Sequence, residues 1–235
     1  MRVSKFVLGV LIPLIPAGWA GVPAASGHPS QSSTKVMAQW VKADQLASHD
    51  DLCAGVLPMF CGARHRTYQT TGSASSAEDP YSYIFLIATD YDTELGLVGV
   101  QFGISYDDLT GEGVDVLSWS CCTDAYWVTN GWPDSGTGII AVWDRTVTCQ
   151  RSGFSVIGWF MVEVHGEDVF AVTPSPNYGK LLAVDCALAE STLPVENLGA
   201  VGFDGSEGLD PCYERGAQVA AVGSTWGHIK TMYGP

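Results

Sequence analysis

Between Pro80 and Cys186 the chain never sustains a helical period. Short runs rich in Val, Ile, Phe, Tyr and Trp, at residues 81–89, 95–105, 113–121, 138–143, 154–164, 169–173 and 180–186, are separated by Gly, Asp and Pro. Branched and aromatic side chains at that density suit a pleated, half-buried backbone, and the residues between them interrupt it. The pattern predicts an all-β fold, an antiparallel β-sandwich of jelly-roll or Ig-like type. It excludes an α/β enzyme scaffold, which alternates strands with amphipathic helices.

Turn chemistry suggests how some runs connect. Residues 107–113, Asp-Asp-Leu-Thr-Gly-Glu-Gly, stand between the runs 102–106 and 114–119, and Gly166-Glu167 stands between 162–165 and 169–172. Both read as hairpin turns joining antiparallel neighbours. With a strand's period of two, Val114, Val116 and Ser118 would face one side and Asp115, Leu117 and Trp119 the other, which predicts a strand covered on both faces.

The ends of the chain read differently. Arg2 and Lys5 form a basic head before an apolar stretch at 6–15, followed by small residues around Gly18, Ala20, Val22 and Ala24. This is the order of a secretory signal peptide, and the stretch falls short of the roughly 20 apolar residues that span a bilayer. Residues 1–25 are therefore expected to be removed, with the cut between Gly21 and Ser26. The mature protein is expected to be secreted, periplasmic or at the cell surface, with no integral membrane segment.

Residues 26–79 read as an N-terminal extension. Within it Val36, Met37, Trp40, Val41 and Leu46 fall near a helical period, predicting a modest helix over 34–51, and the Thr, Gly, Ser and Ala of 70–77 read as a flexible lead into the main domain at 80–203. In the C-terminal segment 204–235, Ser224 or Thr225 can cap a short helix that carries Trp226, Ile229, Met232 and Tyr233 on one stripe.

Seven cysteines in an exported chain read as disulfides with one thiol left over. Proximity along the chain suggests Cys53 with Cys61, Cys122 with Cys149, and Cys186 with Cys212, although spacing alone does not fix connectivity. Cys121 and Cys122 are adjacent, so on an extended strand they point to opposite faces, and one of them is the candidate odd thiol. No CxxC spacing supports zinc.

Charge narrows the partners. Asp and Glu number 25 against 11 Lys and Arg, a net charge of -14, which argues against nucleic acid, whose binding rests on cationic contacts to phosphate. A solvated surface, a cation or a neutral partner suits the balance better. The nucleophile pattern Gly-x-Ser-x-Gly is absent, and His49, His65, His165 and His228 assemble no triad by order or spacing.

Acidic residues offer two further chemistries. Asp90, Asp92 and Glu94 would alternate toward one face of an extended segment, and Glu163 shares a strand face with His165. Paired carboxylates could hydrolyse glycosides, while hard oxygen ligands suit calcium, the only cofactor the sequence suggests, at Asp90, Asp92 and Glu94 or at Asp107, Asp108 and Glu112. The more ordinary role of such charges is to keep strand ends wet.

Tryptophans supply the remaining candidates. Trp127 and Trp132 lie in a loop-like stretch and are expected to contact ligand, as exposed indoles do when they carry sugar rings, although burial is the commoner fate of Trp. Together these readings predict a secreted, non-catalytic extracellular or envelope β module that binds a polysaccharide or cell-surface component. The alternatives are a secreted carbohydrate-active hydrolase using paired carboxylates, and a filament or surface-layer subunit that adds strands at an unpaired edge.

Several motifs carry a resemblance. The run 99–104 (Gly-Val-Gln-Phe-Gly-Ile), the strand from Gly113 ending in Trp119, Ser120, Cys121 and Cys122, the Gly131-Trp132-Pro133 loop, Trp143 with Cys149, and the tail Thr225-Trp226-Gly227-His228-Ile229-Lys230 resemble a set of uncharacterised secreted bacterial β-domain proteins. In that set one cysteine follows the strand tryptophan by three, which matches Cys122 and leaves Cys121 as a departure. The resemblance implies export and a β domain, and attaches no activity.

Overall fold

The computed structural model describes residues 30–43, 46, 51–55, 71–76 and 80–212; the expected signal peptide, Cys61 and the expected C-terminal helix lie outside the described residues. Two sheets form a sandwich. The smaller has four antiparallel strands in the order β1 (Lys35–Lys42), β3 (Ser82–Thr89), β8 (Phe154–Val164) and β5 (Val114–Cys121). The larger runs β11 (Glu190–Thr192), β10 (Leu182–Val184), β4 (Gly99–Ser105), β9 (Asp168–Thr173), β12 (Ala200–Phe203) and β2 (Thr71–Gly72). On its other side β4 pairs with β7 (Gly138–Val142), and β7 pairs with β6 (Ala125–Val128). Among the described residues no helix is long and apolar enough to cross a membrane.

Alternation builds the core. Val36, Ala38 and Trp40 of β1, Ile84, Leu86 and Ala88 of β3, and Phe160, Val162 and Val164 of β8 point inward against Val100, Phe102 and Ile104 of β4, Phe170 and Val172 of β9, and Val201 and Phe203 of β12. Phe102, Phe160, Phe170 and Phe203 are fully buried, and each contributes about 1.5–3 kcal/mol of apolar burial. The smaller sheet is covered on its outer face as well. Met37, Phe85, Ile87 and Val156 pack there with Leu52 of a short helix, α1 (Leu52–Gly55), and against Leu46 and Cys212. Burial on both faces is why 82–89 reads as a continuous apolar run rather than an alternating one.

The helix expected over 34–51 is corrected by β1. Val36 and Trp40 are four apart, a spacing that shares one face in a helix and in a strand alike. Met37, between them, faces the opposite side of the sheet, which settles the period as two. The sandwich therefore begins well before Pro80.

Both expected hairpins are also corrected. Residues 107–113 lead from β4 in the larger sheet to β5 in the smaller, and Gly166-Glu167 leads from β8 in the smaller sheet to β9 in the larger, so both are crossovers. Turn residues mark where the chain reverses, without naming the strand it pairs with next.

The strand β5 departs from simple alternation. Its register against β8 shifts between Val116 and Ser118, a bulge that leaves Leu117 45% exposed and turns Trp119 to the same inward side as Val114 and Val116. Covering on both faces is thus not observed: β5 is a sheet edge, and its Asp115 bonds His165 at 3.0 Å near the surface. Gly158 of β8 makes room for the turned indole, since a Cβ there would stand 2.3 Å from the Trp119 ring.

Disulfides follow the faces of the sheets rather than proximity in sequence. Cys53 pairs with Cys122, tying α1 to the end of β5 across the outer face of the smaller sheet, and Cys149 pairs with Cys186 beside Gly96. These bonds replace the expected pairs Cys53 with Cys61, Cys122 with Cys149, and Cys186 with Cys212. Cys212 is disulfide-bonded too, and Cys121 is the free thiol among the described residues.

Candidate functional site

The stretch expected as loop holds the strand β6, which among the described residues pairs only with β7 and so forms an edge of the larger sheet. Its register with β7 sets Tyr126 opposite Ala141, Trp127 opposite Ile140 and Val128 opposite Ile139. Opposed residues share a face, so Tyr126 and Val128 lie on the inward side with the buried Ile139 and Ala141. They remain 50% and 44% exposed. Trp127 lies on the outward side, 61% exposed.

A loop walls this outward face. After β9 the chain turns at 174–179, where the Gly179 N–H donates to the Ser175 carbonyl at 2.8 Å, and the turn presents Tyr178 with 63% exposure. Gly138 lets the loop come down on the sheet: a Cβ there would meet Pro176 at 2.8 Å. Between loop and edge lies a shallow, open depression of roughly 140 Å³, lined by Trp127, Thr129, Ile140, Ser175, Asn177 and Tyr178 among others, with no charged residue. It is smaller than the roughly 300–1,000 Å³ of enclosed small-molecule sites, and its form suits contact with a surface or a chain.

The depression opens onto a cross-strand row. In register, Trp127 of β6, Ile140 of β7, Gln101 of β4, Leu182 of β10 and Thr192 of β11 stand side by side on the outward face. The next row along contains Val142, Gly99 and Val184. Gln101 is only 8% exposed, and its Nε2 is buried without a hydrogen-bond partner.

Trp132, expected beside Trp127 as a ligand contact, is half-buried and packs against the core. Its ring meets Trp119 edge-on, with centroids 5.3 Å apart, and lies 5.8 Å from Phe160 and 6.5 Å from Phe102. The two tryptophans read as one motif in the sequence, while Tyr178, which the loop delivers from 51 residues beyond Trp127, carries no signal there.

The carboxylates do not come together around a common point. Asp90 pairs with Lys35 at 2.6 Å, Asp92 Oδ1 accepts the backbone N–H groups of Glu94 and Leu95 at 2.8 and 3.1 Å, and Glu94 is exposed. Asp107 accepts the Leu109 N–H. Glu163 lies opposite Asp115 in the β5–β8 register, and His165 bonds Asp115. Among the described residues no group of three His, Cys, Asp or Glu side chains is arranged to hold a metal.

Two perturbed groups mark the crossover end of the sandwich, away from Trp127. Burial pushes the Asp168 carboxyl above the usual aspartate range, against three backbone N–H donors that favour its ionised form. Burial, then the nearby Asp134, raises the Tyr106 phenol as well, and its hydroxyl donates to the Pro133 carbonyl at 3.0 Å. Both roles are structural.

No family model matches the chain, and no curated protein matches it. Among solved structures, a cohesin module from the family 33 glycoside hydrolase of Clostridium perfringens is similar at 10% identity and a TM-score of 0.42, covering 73% of this chain and 98% of its own. A type I cohesin of Clostridium thermocellum, solved in complex with a dockerin, has 12% identity and a TM-score of 0.44 over 77% of this chain and 99% of its own. A type II cohesin of Acetivibrio cellulolyticus has 9% identity and a TM-score of 0.40 over 54% and 85%. At these scores the likeness carries no argument about what this chain binds.

Proposed function

We propose that the protein acts outside the cytoplasm as a non-catalytic recognition module, holding a carbohydrate surface against the outward face of its larger sheet through Trp127. The observation that carries this reading is the 61% exposure of an indole at the rim of an uncharged depression, in a protein that buries Phe102, Phe160 and Phe170 completely. A sugar ring presents a C–H face that stacks on such a platform.

Other features support the setting. Disulfides such as Cys53–Cys122 and Cys149–Cys186 persist in oxidising compartments, in keeping with an export signal at 1–25. Asp92, Asp107, Asp168 and Asp185 each accept backbone N–H groups, which is work for a turn rather than for a reacting pair.

The test is retention of the mature protein on a panel of insoluble neutral and acidic polysaccharides, comparing wild type with Trp127→Ala. Retention on at least one neutral polysaccharide, lost in the variant, is the expected result; no retention on any member defeats the reading. A second reading, a subunit that adds strands through β6, is favoured by the free edge of that strand. Concentration-dependent assembly abolished by Tyr126→Lys would select it instead.

A further inference from the structure

Strand edges that must stay unpaired are short, charged, bulged or broken by proline. Among the described residues, four of the five strands that end the two sheets carry such a device. β1 has Lys35 and Lys42, β5 has Asp115 and the bulge at Leu117, β11 has Glu190, and β2 is two residues long. β6 has none. Its residues Ala125, Tyr126, Trp127 and Val128 are uncharged, keep an unbroken register with β7, and are all exposed.

The backbone of β6 offers its free groups in a symmetric pattern. The Thr129 N–H donates to the Gly138 carbonyl at 2.9 Å, so Thr129 and Gly138 form a hydrogen-bonded pair, and by the alternation of an antiparallel ladder so do Trp127 and Ile140. The N–H and C=O groups of Tyr126 and Val128 therefore turn away from β7, toward the open edge. They stand one on each side of Trp127, and both side chains lie half-exposed on the inward side.

We infer that β6 pairs antiparallel with the β6 of a second copy about a two-fold axis at Trp127, continuing the larger sheet across the pair. The register is self-complementary. Tyr126 of each copy faces Val128 of the other as a hydrogen-bonded pair that exchanges two backbone bonds, and Trp127 meets the second copy's Trp127 as the close, non-hydrogen-bonded pair between them. Aromatic pairs across a ladder stabilise a sheet, and on the inward side each Tyr126 covers the other copy's Val128. The net charge of -14 opposes self-association at long range, yet from 124 to 130 this register sets Asp124 beside the second copy's Asn130 and places no like charges opposite each other. The inference rests on the strand-adding reading of β6 above and gives it both a partner and a limit. Each copy has one such edge and the pairing uses both, so assembly closes at two.

Sedimentation equilibrium of the full mature chain, at concentrations up to about 1 mM, tests the inference. A short strand makes a small interface, so the expected result is a monomer–dimer equilibrium with Kd in roughly the 10 μM to 1 mM range that stops at two copies. Val128→Pro removes a donor that faces the edge and no bond to β7, and it should weaken the dimer at least about tenfold with the thermal midpoint little changed. Oxidation in a Cys121→Ser background reads the register. Trp127→Cys should cross-link two copies, because a residue on the axis stands about 4.5 Å from its own copy, within disulfide reach. Ala125→Cys, roughly 14 Å from its own copy, should not. Growth beyond two copies, or Ala125→Cys cross-linking at least as readily as Trp127→Cys, overturns the closed pair and leaves strand addition at β6 standing. A monomer at every concentration, or a dimer that Val128→Pro leaves intact, overturns both. Val128→Pro keeps Trp127, so its retention on polysaccharide decides the carbohydrate reading independently of either.

Discussion

Asp168 Oδ2 accepts the backbone N–H of Val114 at 3.1 Å, joining the first residue of β9 in the larger sheet to the first residue of β5 in the smaller. The same carboxylate accepts the N–H groups of Asp107 at 3.1 Å and Val169 at 2.6 Å, so one side chain fastens two crossovers that run side by side. The Gly113 carbonyl completes the corner by accepting the His165 N–H at 2.8 Å.

Replacing that carboxylate tests the corner. An asparagine offers one oxygen to three donors, so Asp168→Asn should cost about 1–3 kcal/mol, read from urea denaturation. The pH dependence has a definite sign. Because burial raises the folded-state pKa above its usual 3.8, the folded protein holds this proton more tightly than the unfolded chain does. The stabilisation linked to it is complete below the unfolded pKa and is lost as pH rises through the folded one. The gap between wild type and variant should therefore narrow from acid toward neutral pH; a widening gap would show that the ionised form is the one the fold prefers.

Gly158 is a steric prediction. A methyl group there would stand 2.3 Å from the Trp119 ring and 2.5 Å from the Ser120 carbonyl, and a backbone atom cannot swing aside as a side-chain tip can. Gly158→Ala should cost about 1–3 kcal/mol, measured as a lowered thermal midpoint, and pairing it with Trp119→Phe should recover part of the loss. Full stability in the single variant would mean that the β5 bulge relaxes freely.

The Cys53–Cys122 bond closes 69 residues and holds α1 over Met37, Phe85, Ile87 and Val156. Changing both cysteines to alanine should destabilise the protein by about 2–4 kcal/mol and expose that face to a hydrophobic dye, with Cys149–Cys186 intact. Unchanged dye binding would show that packing alone keeps α1 in place.

Much of this fold was legible because strand density is a local property. Each of the runs from 81–89 to 180–186 contains a strand, and the leftover thiol lies within the Cys121-Cys122 pair, where adjacency pointed. What escaped depends on partners distant in sequence. β1 was hidden because Val36 and Trp40 satisfy two periods at once, and the crossovers were hidden because a turn does not say which sheet its exit strand joins. The bulge at Leu117 inverted the facing of Trp119, since one extra residue moves every later side chain to the other side. At the candidate site, Trp127 was legible as a residue type on a polar stretch. Tyr178 was not, because only the loop after β9 brings it down beside β6.

The contrast between Trp127 and Trp132 yields the last prediction, and it separates platform from core within six residues. Trp132 is wedged among Phe102, Trp119 and Phe160, so Trp132→Ala should leave a cavity and cost about 3–5 kcal/mol. Trp127 is mostly in water, so Trp127→Ala should change stability by no more than about 0.5 kcal/mol. Denaturant midpoints of the two variants, compared with wild type at one pH, check both at once. If Trp127→Ala proved the more damaging, the indole would be holding β6 against β7, and loss of glycan retention in that variant would report an unravelled edge rather than a missing platform.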